Sequence, residues 1–117
     1  MAVRNAGQII LCRFPQTDLA TGKRRPALLL LPLPTDYNDW LICMMSTKTE
    51  QAVSDIDDII STSDSDFQTT GLKGDTVLRI TRLAAVTDSL FTGTIGHIGS
   101  ERLTRVKENL ARWILAS

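Results

Sequence analysis

The sequence predicts a mainly β fold, a small and partly open β-barrel followed by a C-terminal helix. About five short apolar segments are separated by residues typical of turns, as expected for the strands of a small barrel. The final stretch instead carries apolar residues at helical spacing. The barrel is expected over residues 7–98 and the helix over residues 100–116, within a single domain of 117 residues.

The first two predicted strands flank a polar loop. Residues 9–14 alternate apolar side chains with Arg13 on the opposite face, which predicts a strand. Residues 16–23 are rich in turn-forming side chains and are predicted to form a loop. Residues 27–31 are consecutively apolar, as in a strand buried on both faces.

The later strands are predicted from shorter patterns. Residues 32–39 hold two prolines and are expected to form a turn-rich connection. Ile56, Ile59 and Ile60 fit either a short helix or a strand, and a strand followed by a turn is favoured. Residues 66–73 are predicted to form a loop with little regular structure. The remaining strands are expected at residues 40–45, 76–83 and 90–98.

The C-terminal helix has the clearest pattern. Ser100 is predicted as its N-cap, with Glu101 placed favourably in the first turn. Glu101 with Arg105 and Glu108 with Arg112 are expected to form ion pairs between successive turns. The predicted apolar face consists of Leu103, Val106, Leu110, Trp113 and Ile114.

The charges of the chain balance but are unevenly distributed. Thirteen Lys and Arg residues match thirteen Asp and Glu residues, so net charge does not favour nucleic acid as a partner. The acids of residues 53–66 have no cation among them, whereas basic residues gather at 23–25, at Arg79 and Arg82, and at 102–112. Such sorting predicts one positive face on a neutral molecule.

Composition also favours a cytoplasmic protein. No apolar run approaches the roughly 20 residues that a membrane span needs. Residues 1–8 lack the pattern of a signal peptide. Cys12 and Cys43 lie in apolar segments without metal or disulfide spacing, so we predict two buried free thiols. A single histidine, His97, argues against a His-rich zinc site and is expected to be a hydrogen-bonded turn residue.

One basic stretch is a candidate for binding an anion. Residues 22–26 read Gly-Lys-Arg-Arg-Pro and lead directly into the apolar strand at 27–31. A residue before proline is held extended, so Arg25 has a rigid base at the start of a core strand. Its guanidinium offers a planar fork of donors that matches phosphate. The alternative is a solvated basic turn.

Arg79 and Arg82 lie three residues apart on a predicted strand. Alternation along a strand places them on opposite faces, so only one is expected to face a groove. Arg82 is preferred for that role, and Arg79 is expected to pair with surface acids. Few aromatic side chains are free to stack on bases, which limits any expectation about RNA sequence preference.

In order along the chain, these segments resemble the MazF/PemK-type toxins of bacterial type II toxin–antitoxin modules. Residues 7–18, Gly-Gln-Ile-Ile-Leu-Cys-Arg-Phe-Pro-Gln-Thr-Asp, are similar to the opening of that family. Residues 23–30 resemble its basic Arg-Pro followed by an apolar strand. Residues 78–83 and 95–98 are similar to its second half. The resemblance covers nearly the whole chain, and the order of the parts makes it specific.

The resemblance implies an SH3-like barrel, usually a homodimer, that cleaves single-stranded RNA without a metal or other cofactor. Its catalytic arginine falls on Arg25. Its second catalytic position falls on Ser46, with Thr47 as the alternative. The implied partner is an acidic antitoxin segment that lies across the basic groove and covers Arg25.

The residues suit attack of the RNA 2′-hydroxyl on the adjacent phosphorus. Arg25 would stabilise the charge that develops on phosphoryl oxygens, and Ser46 would hold a non-bridging oxygen or the 2′-hydroxyl. Asp18 is the candidate general base, although an Asx-turn in the loop explains it equally well. Lys23 and Arg24, together with Arg82, are predicted to contact neighbouring phosphates.

Two other functions are compatible with the sequence. The related gyrase-poison toxins use the same barrel to inhibit DNA gyrase by binding, without catalysis, and a decayed family member would likewise bind without cutting. The chain end from Trp113 only loosely resembles that of the gyrase poisons. A module that dimerises through the terminal helix, with no toxin role, is the third possibility.

Overall fold

A computed structural model describes residues 4–13 and 24–117 of the chain. It contains six strands, two α-helices and two single-turn 3-10 helices, at Thr49–Gln51 and Asp88–Leu90. The strands are β1 (Gln8–Arg13), β2 (Arg24–Pro32), β3 (Asp39–Ser46), β4 (Asp58–Ile60), β5 (Thr76–Thr87) and β6 (Phe91–His97), and the helices are α1 (Phe67–Thr70) and α2 (Ser100–Ala116).

The six strands form one antiparallel sheet in the order β4-β5-β3-β2-β1-β6. The predicted class, mainly β with a C-terminal helix, is confirmed. Within residues 4–13 and 24–117 no pairing joins the edge strands β4 and β6, so the sheet is not closed. No helix of these residues is long and apolar enough to cross a membrane.

The central strand β2 is buried on both faces, as its apolar run predicts. Leu28 and Leu30 belong to one core cluster, which α2 covers with Val106. The alternate residues Ala27 and Leu29 belong to a second cluster on the other face of the strand. β2 is therefore anchored by both clusters, and Arg25 lies at the start of this anchored strand.

The thiols of the sheet are buried and free. Cys43 belongs to the first cluster and Cys12 to the second. Burial raises the pKa of the Cys12 thiol to about 11 and that of Cys43 to about 12. Both thiols are therefore neutral near pH 7 and serve as small apolar groups.

Three of the predictions made for α2 differ from the structure: its N-cap, the extent of its apolar face and its ion pairs. Its N-cap is Gly99, and Ser100 is the first helical residue. Ile114 is 59% exposed, so the apolar face ends at Trp113. The predicted pairs within the helix are replaced, because Arg105 bonds to Asp58 and Arg112 bonds to backbone and amide oxygens.

The acidic stretch of residues 53–66 neutralises part of the basic helix. Arg102 on α2 is buried and pairs with Asp58, Asp64 and Asp66. The prediction that the cations of residues 102–112 add to a positive face is therefore wrong for this part of the helix. Buried guanidinium groups require such partners, because desolvating an unpaired charge is costly.

The segment predicted as an irregular loop at residues 66–73 contains the short helix α1. Gly71 ends it in the left-handed conformation, with φ of 71°. The Thr70 hydroxyl donates to the carbonyl of Phe67 at 2.6 Å. α1 packs on β6, where a Cβ at Gly96 would lie 2.3 Å from the carbonyl oxygen of Thr69. The sequence did not predict this helix or its packing, because a segment of four residues is too short to show a helical pattern.

Candidate active site

The start of β2 and the end of β3 bring Arg25 and Ser46 together. The register of the two strands pairs Ala27 with Met44. Because the strands are antiparallel, continuing this register by two residues places Arg25 opposite Ser46. On its other side Arg25 pairs with Cys12 of β1. The predicted catalytic arginine is therefore flanked by two strands.

A cavity of about 190 Å³ lies over this pair, and we call it the arginine cavity. Three arginine side chains line it, and no acidic side chain does, among the residues that the structure describes. Its lining consists of Arg25, Met44, Met45, Ser46, Arg79 and Arg82. Several cations around one small opening favour an anion such as phosphate.

A bulge explains why two arginines from β5 reach this cavity. Cys43 pairs with Leu83, but the next residue of β3, Met44, pairs with Arg79. β5 thus carries extra residues between these two pairs, and strict alternation is interrupted there. The prediction that only one of Arg79 and Arg82 faces the groove was wrong, because both line the cavity.

Arg79 pairs with a buried carboxylate, that of Asp57. Its Nε lies 3.9 Å from an Asp57 oxygen, and its Nη1 donates to Gln51 Oε1 at 3.3 Å. Asp57 is fixed in turn, because it accepts the amides of Val53 at 2.9 Å and Ile80 at 2.8 Å. This agrees with the expectation that Arg79 pairs with an acid, although the acid is a buried one.

Two guanidinium nitrogens at the site have no hydrogen-bond partner among the described residues. They are the Nε atoms of Arg25 and Arg79, and both atoms are buried. A buried donor without a partner costs free energy, and a bound anion would satisfy it. These donors distinguish the site from the Arg102 cluster, where five guanidinium hydrogen bonds are made within the protein.

A second cavity, of about 300 Å³, adjoins Arg25 and Ser46, and we call it the lysine cavity. Two lysines and two threonines contribute polar groups, and Pro26, Met45 and Leu72 contribute apolar surface. Its full lining is Arg25, Pro26, Met45, Ser46, Thr47, Lys48, Leu72, Lys73, Gly74 and Thr76. The two cavities share Arg25, Met45 and Ser46, so they adjoin each other at the pair.

The structure brings together four of the predicted site residues. Arg25 and Ser46 line both cavities, Thr47 lines the lysine cavity and Arg82 lines the arginine cavity. Arg24 is exposed at the start of β2 and lines neither. Asp18 and Lys23 lie outside the described residues, so their predicted roles stay predictions.

Three cations of the site were missed from the sequence. Arg79 was assigned to the wrong face because a bulge leaves no mark on the apolar pattern. Lys48 follows Ser46 and Thr47 closely, and that proximity was an available signal. Lys73 lies far along the chain and reaches the cavity only through the fold. No group of three or more potential metal ligands occurs within the described ranges.

Comparison with known proteins agrees with this architecture. The sequence model that describes the family of PemK-like, MazF-like toxins of type II toxin–antitoxin systems matches residues 5–114 of the chain. The chain thus belongs to the PemK/MazF toxin family. No curated protein sequence matches the chain.

Solved structures of this family share the fold at low sequence identity. MazF of Deinococcus radiodurans is 18% identical with a TM-score of 0.71, covering 97% of this chain and 98% of that one. Toxin MazF-mt6 of Mycobacterium tuberculosis is 12% identical with a TM-score of 0.68, covering 92% and 95%. An endoribonuclease from a mycobacterial species, solved in complex with its cognate antitoxin, is 14% identical with a TM-score of 0.69 and covers 98% of both chains.

Proposed function

We propose that this toxin-family chain is an endoribonuclease that cleaves single-stranded RNA at the Arg25–Ser46 pair. The observation that carries the proposal is the arginine cavity, which three arginines line together with Ser46 and to which the described part of the chain contributes no acidic side chain. The Nε of Arg25, which is buried without a hydrogen-bond partner among the described residues, supports it further, since a phosphate oxygen would satisfy this donor.

In the proposed reaction the 2′-oxygen of one nucleotide bonds to the adjacent phosphorus as the bond from phosphorus to the 5′-oxygen breaks. The 2′-hydroxyl loses its proton to a base, and the departing 5′-oxygen gains one. The products are a 2′,3′-cyclic phosphate and a 5′-hydroxyl. Charge accumulates on the phosphoryl oxygens in the transition state, so donors preorganised there accelerate the step.

The residues of the site have distinct proposed roles. Arg25 donates to the phosphoryl oxygens, and its position at the start of a strand anchored by two core clusters makes it rigid. Ser46 holds a non-bridging oxygen or the 2′-hydroxyl, with Thr47 as the alternative. The Ser46 hydroxyl already accepts the Lys48 amide at 3.1 Å, which leaves its own proton free to donate. Asp18 is the proposed base.

The remaining cations of the site are proposed to bind the phosphates of the RNA backbone. Arg82 lines the arginine cavity next to Arg25, so it contacts a phosphate beside the scissile one. Lys23 and Arg24 precede Arg25 directly in sequence and are proposed to contact phosphates on either side of the scissile one. Arg79 lies deeper, against Asp57, and adds positive charge behind the scissile phosphate.

The proposed partners follow from this charge. An acidic segment of a cognate antitoxin would occupy the cationic groove and cover Arg25. The mycobacterial endoribonuclease of similar fold is solved with its cognate antitoxin, which supports such a partner. We further propose that the chain acts in the cytoplasm as a homodimer, as the family resemblance implies.

The test is direct cleavage of RNA in EDTA. Purified protein is incubated with a mixed-sequence single-stranded RNA beside Arg25→Ala and beside Lys107→Ala, which removes an exposed cation on α2. New 5′-hydroxyl and cyclic phosphate ends are expected with the wild type and Lys107→Ala, and not with Arg25→Ala. Intact RNA throughout, while the wild type still arrests growth on expression, would refute the nuclease and favour a toxin that binds a protein such as DNA gyrase.

A further inference from the structure

One acid lies against the arginine cavity, where a negative charge works against RNA binding. Asp57 is the only acid in the described ranges that pairs with an arginine of this cavity, and its side chain is fully buried. β4 pairs Asp58 with Leu78, so continuing this antiparallel register by one residue places Asp57 opposite Arg79. The carboxylate repels the phosphates that the cavity is proposed to bind, so its place there needs another explanation.

The turn before β4 holds this carboxylate inward. Asp55 has the left-handed conformation, with φ of 70°, and the Asp57 amide donates to the Val53 carbonyl at 2.9 Å. Both carboxylate oxygens of Asp57 in turn accept backbone amides, Oδ2 that of Val53 and Oδ1 that of Ile80 on β5. The carboxylate is therefore fixed through both oxygens by the backbone alone.

Asp57 offsets the charge of Arg79 without using its hydrogen-bond donors. The Asp57 oxygen lies 3.9 Å from Arg79 Nε, which is too long for a hydrogen bond. Of the three guanidinium nitrogens, only Nη1 has a partner in the described part of the chain, Gln51 Oε1 at 3.3 Å. Arg102 is the opposite case, because its acids engage every nitrogen. Arg79 is thus compensated in charge but keeps donors for a ligand.

This compensation matters because Arg79 shares a small cavity with two other cations. Its side chain is only 15% exposed, so it cannot turn into water as a surface arginine would. Arg25 and Arg82 line the same cavity of about 190 Å³ and repel it. A buried cation without a partner is costly, and Asp57 supplies the opposite charge that keeps Arg79 in the cavity.

We propose that Asp57 and Gln51 are positioning residues that clamp Arg79 for the cleavage step. Asp57 holds the guanidinium by charge from the buried side, and Gln51 holds it by the hydrogen bond to Nη1. The clamp leaves Nη2 as a donor for a phosphoryl oxygen. This inference rests on the proposed function and assigns a part in it to two residues that act through Arg79. If Asp57 acted only through its field, removing its charge would favour RNA.

The experiment separates cleavage rate from RNA affinity. Asp57→Asn and the control Asp55→Asn remove the same charge from the same turn, but Asp55 is exposed. Asp57→Asn is expected to lower the single-turnover rate at saturating RNA about tenfold or more, because a small misplacement at an active site has an effect of that size. Its affinity for a non-cleavable 2′-deoxy oligonucleotide is expected to equal or exceed that of the wild type. Asp55→Asn is expected to keep the wild-type rate.

Two results would overturn the clamp at this stage. A rate in Asp57→Asn that equals or exceeds that of the wild type would show that the carboxylate acts only through its field. A parallel fall of rate and affinity would show that its role is merely structural. Thermal unfolding of each variant verifies that the proteins compared are folded.

A double-mutant cycle tests whether both residues act through Arg79. Arg79→Gln is combined in turn with Asp57→Asn and with Gln51→Leu. Alone, Gln51→Leu is expected to slow cleavage about threefold, as the loss of one weak hydrogen bond does. Neither change is expected to slow cleavage further beside Arg79→Gln, whereas both slow it beside Arg82→Gln. An undiminished effect beside Arg79→Gln would overturn the clamp. Gln51 is exposed, so its cycle decides the matter if Asp57→Asn does not fold.

Failure of the nuclease is distinguished from failure of the clamp by NMR. If the wild type leaves RNA intact, the ¹⁵N-labelled Nε–H signal of Arg79 is followed instead, identified by its loss in Arg79→Gln. A buried and fixed guanidinium exchanges this proton slowly, so the signal is expected in the wild type and in Asp55→Asn. It is expected to be lost to solvent exchange in Asp57→Asn. An equal signal in Asp57→Asn, or no signal in the wild type, would overturn the clamp.

Discussion

Arg102 donates to both carboxylate oxygens of Asp66, from Nε at 2.8 Å and from Nη2 at 2.9 Å. The same guanidinium reaches Asp58 at 2.6 Å, Asp64 at 2.8 Å and the carbonyl of Ile59 at 3.0 Å. One side chain of α2 thereby fixes the acidic segment that leads from β4 into α1. This contact is structural, because every nitrogen of its guanidinium is engaged within the protein.

Removing this guanidinium is expected to destabilise the fold strongly. Arg102→Met leaves three carboxylates without their main donor, and breaking a buried ion pair from one side typically costs about 3–5 kcal/mol. The free energy of unfolding in urea measures the loss. Arg105→Met is the matched control, because the Arg105 side chain is 52% exposed and its pairing with Asp58 is worth about 1 kcal/mol or less. Equal losses in the two variants would contradict this assignment.

Asp66 is expected to make stability depend on acid pH. The hydrogen bond from Arg102, aided by the Gly99 amide, lowers the Asp66 pKa from 3.8 to about 2. A carboxylate whose pKa is lowered in the folded state stabilises that state fully above about pH 4. This contribution to stability is lost as the pH falls toward 2. Its size is about 2 kcal/mol.

The variant Asp66→Asn tests that linkage. Unfolding free energies of wild type and variant are compared between pH 2 and pH 6 (roughly the window of carboxylate titration). The difference between the two proteins is expected to shrink as the pH falls below about 4. A difference that stays constant over this window would show that the Asp66 charge does not contribute.

The packing of α1 on β6 predicts a contrast between two glycines of the same strand. A Cβ added at Gly96 would lie 2.3 Å from the Thr69 carbonyl oxygen and 2.5 Å from that of Thr70. A Cβ at Gly93 would meet no atom within 4 Å. Gly96→Ala is therefore expected to lower stability by about 1–3 kcal/mol, as overpacking does.

Thermal unfolding of Gly96→Ala and Gly93→Ala measures this contrast. The melting temperature is expected to fall clearly for Gly96→Ala and to change little for Gly93→Ala. The comparison controls for the loss of a glycine from a strand, which is common to both. Equal melting temperatures would mean that α1 does not rest on Gly96.

Arg82 is expected to contribute to RNA affinity through charge. If it contacts one phosphate, Arg82→Gln removes about one released counterion, so the slope of log affinity against log salt becomes shallower by about 0.7 for a single strand. Filter binding of a non-cleavable oligonucleotide from low to moderate salt measures the slope. Lys107→Gln removes a cation that lines neither cavity, and its slope is expected to match that of the wild type. If the Arg82→Gln variant kept the wild-type slope, Arg82 would not contact an RNA phosphate.

The general architecture could be predicted from the sequence because it depends on patterns of neighbouring residues. The apolar run of β2 and the helical spacing of α2 each fix an element locally. The Arg-Pro junction placed Arg25 at the start of a core strand, where the structure has it. The apolar residues 40–45 likewise predicted a strand with Ser46 at its end, where the structure has it.

What escaped prediction depends on partners distant in sequence. The bulge of β5 is set by its pairing with β3, so the apolar pattern did not show that Arg79 and Arg82 line the same cavity. Arg102 looked like a surface cation of an amphipathic helix, yet its partners lie more than 30 residues earlier. Lys73 likewise lines the same cavity as Lys48 only in the folded chain.

The central claim is that Arg25 promotes attack by an RNA 2′-hydroxyl, and one oligonucleotide comparison tests it most directly. A short RNA with a mapped cut is compared with the same RNA carrying a single 2′-deoxy nucleotide on the 5′ side of that cut, under single-turnover conditions in EDTA. We predict that the wild type cuts only the all-ribose strand and that Arg25→Ala cuts it about 100-fold more slowly or worse. Equal cleavage of the deoxy-substituted strand, or a wild-type rate for Arg25→Ala, would contradict the claim.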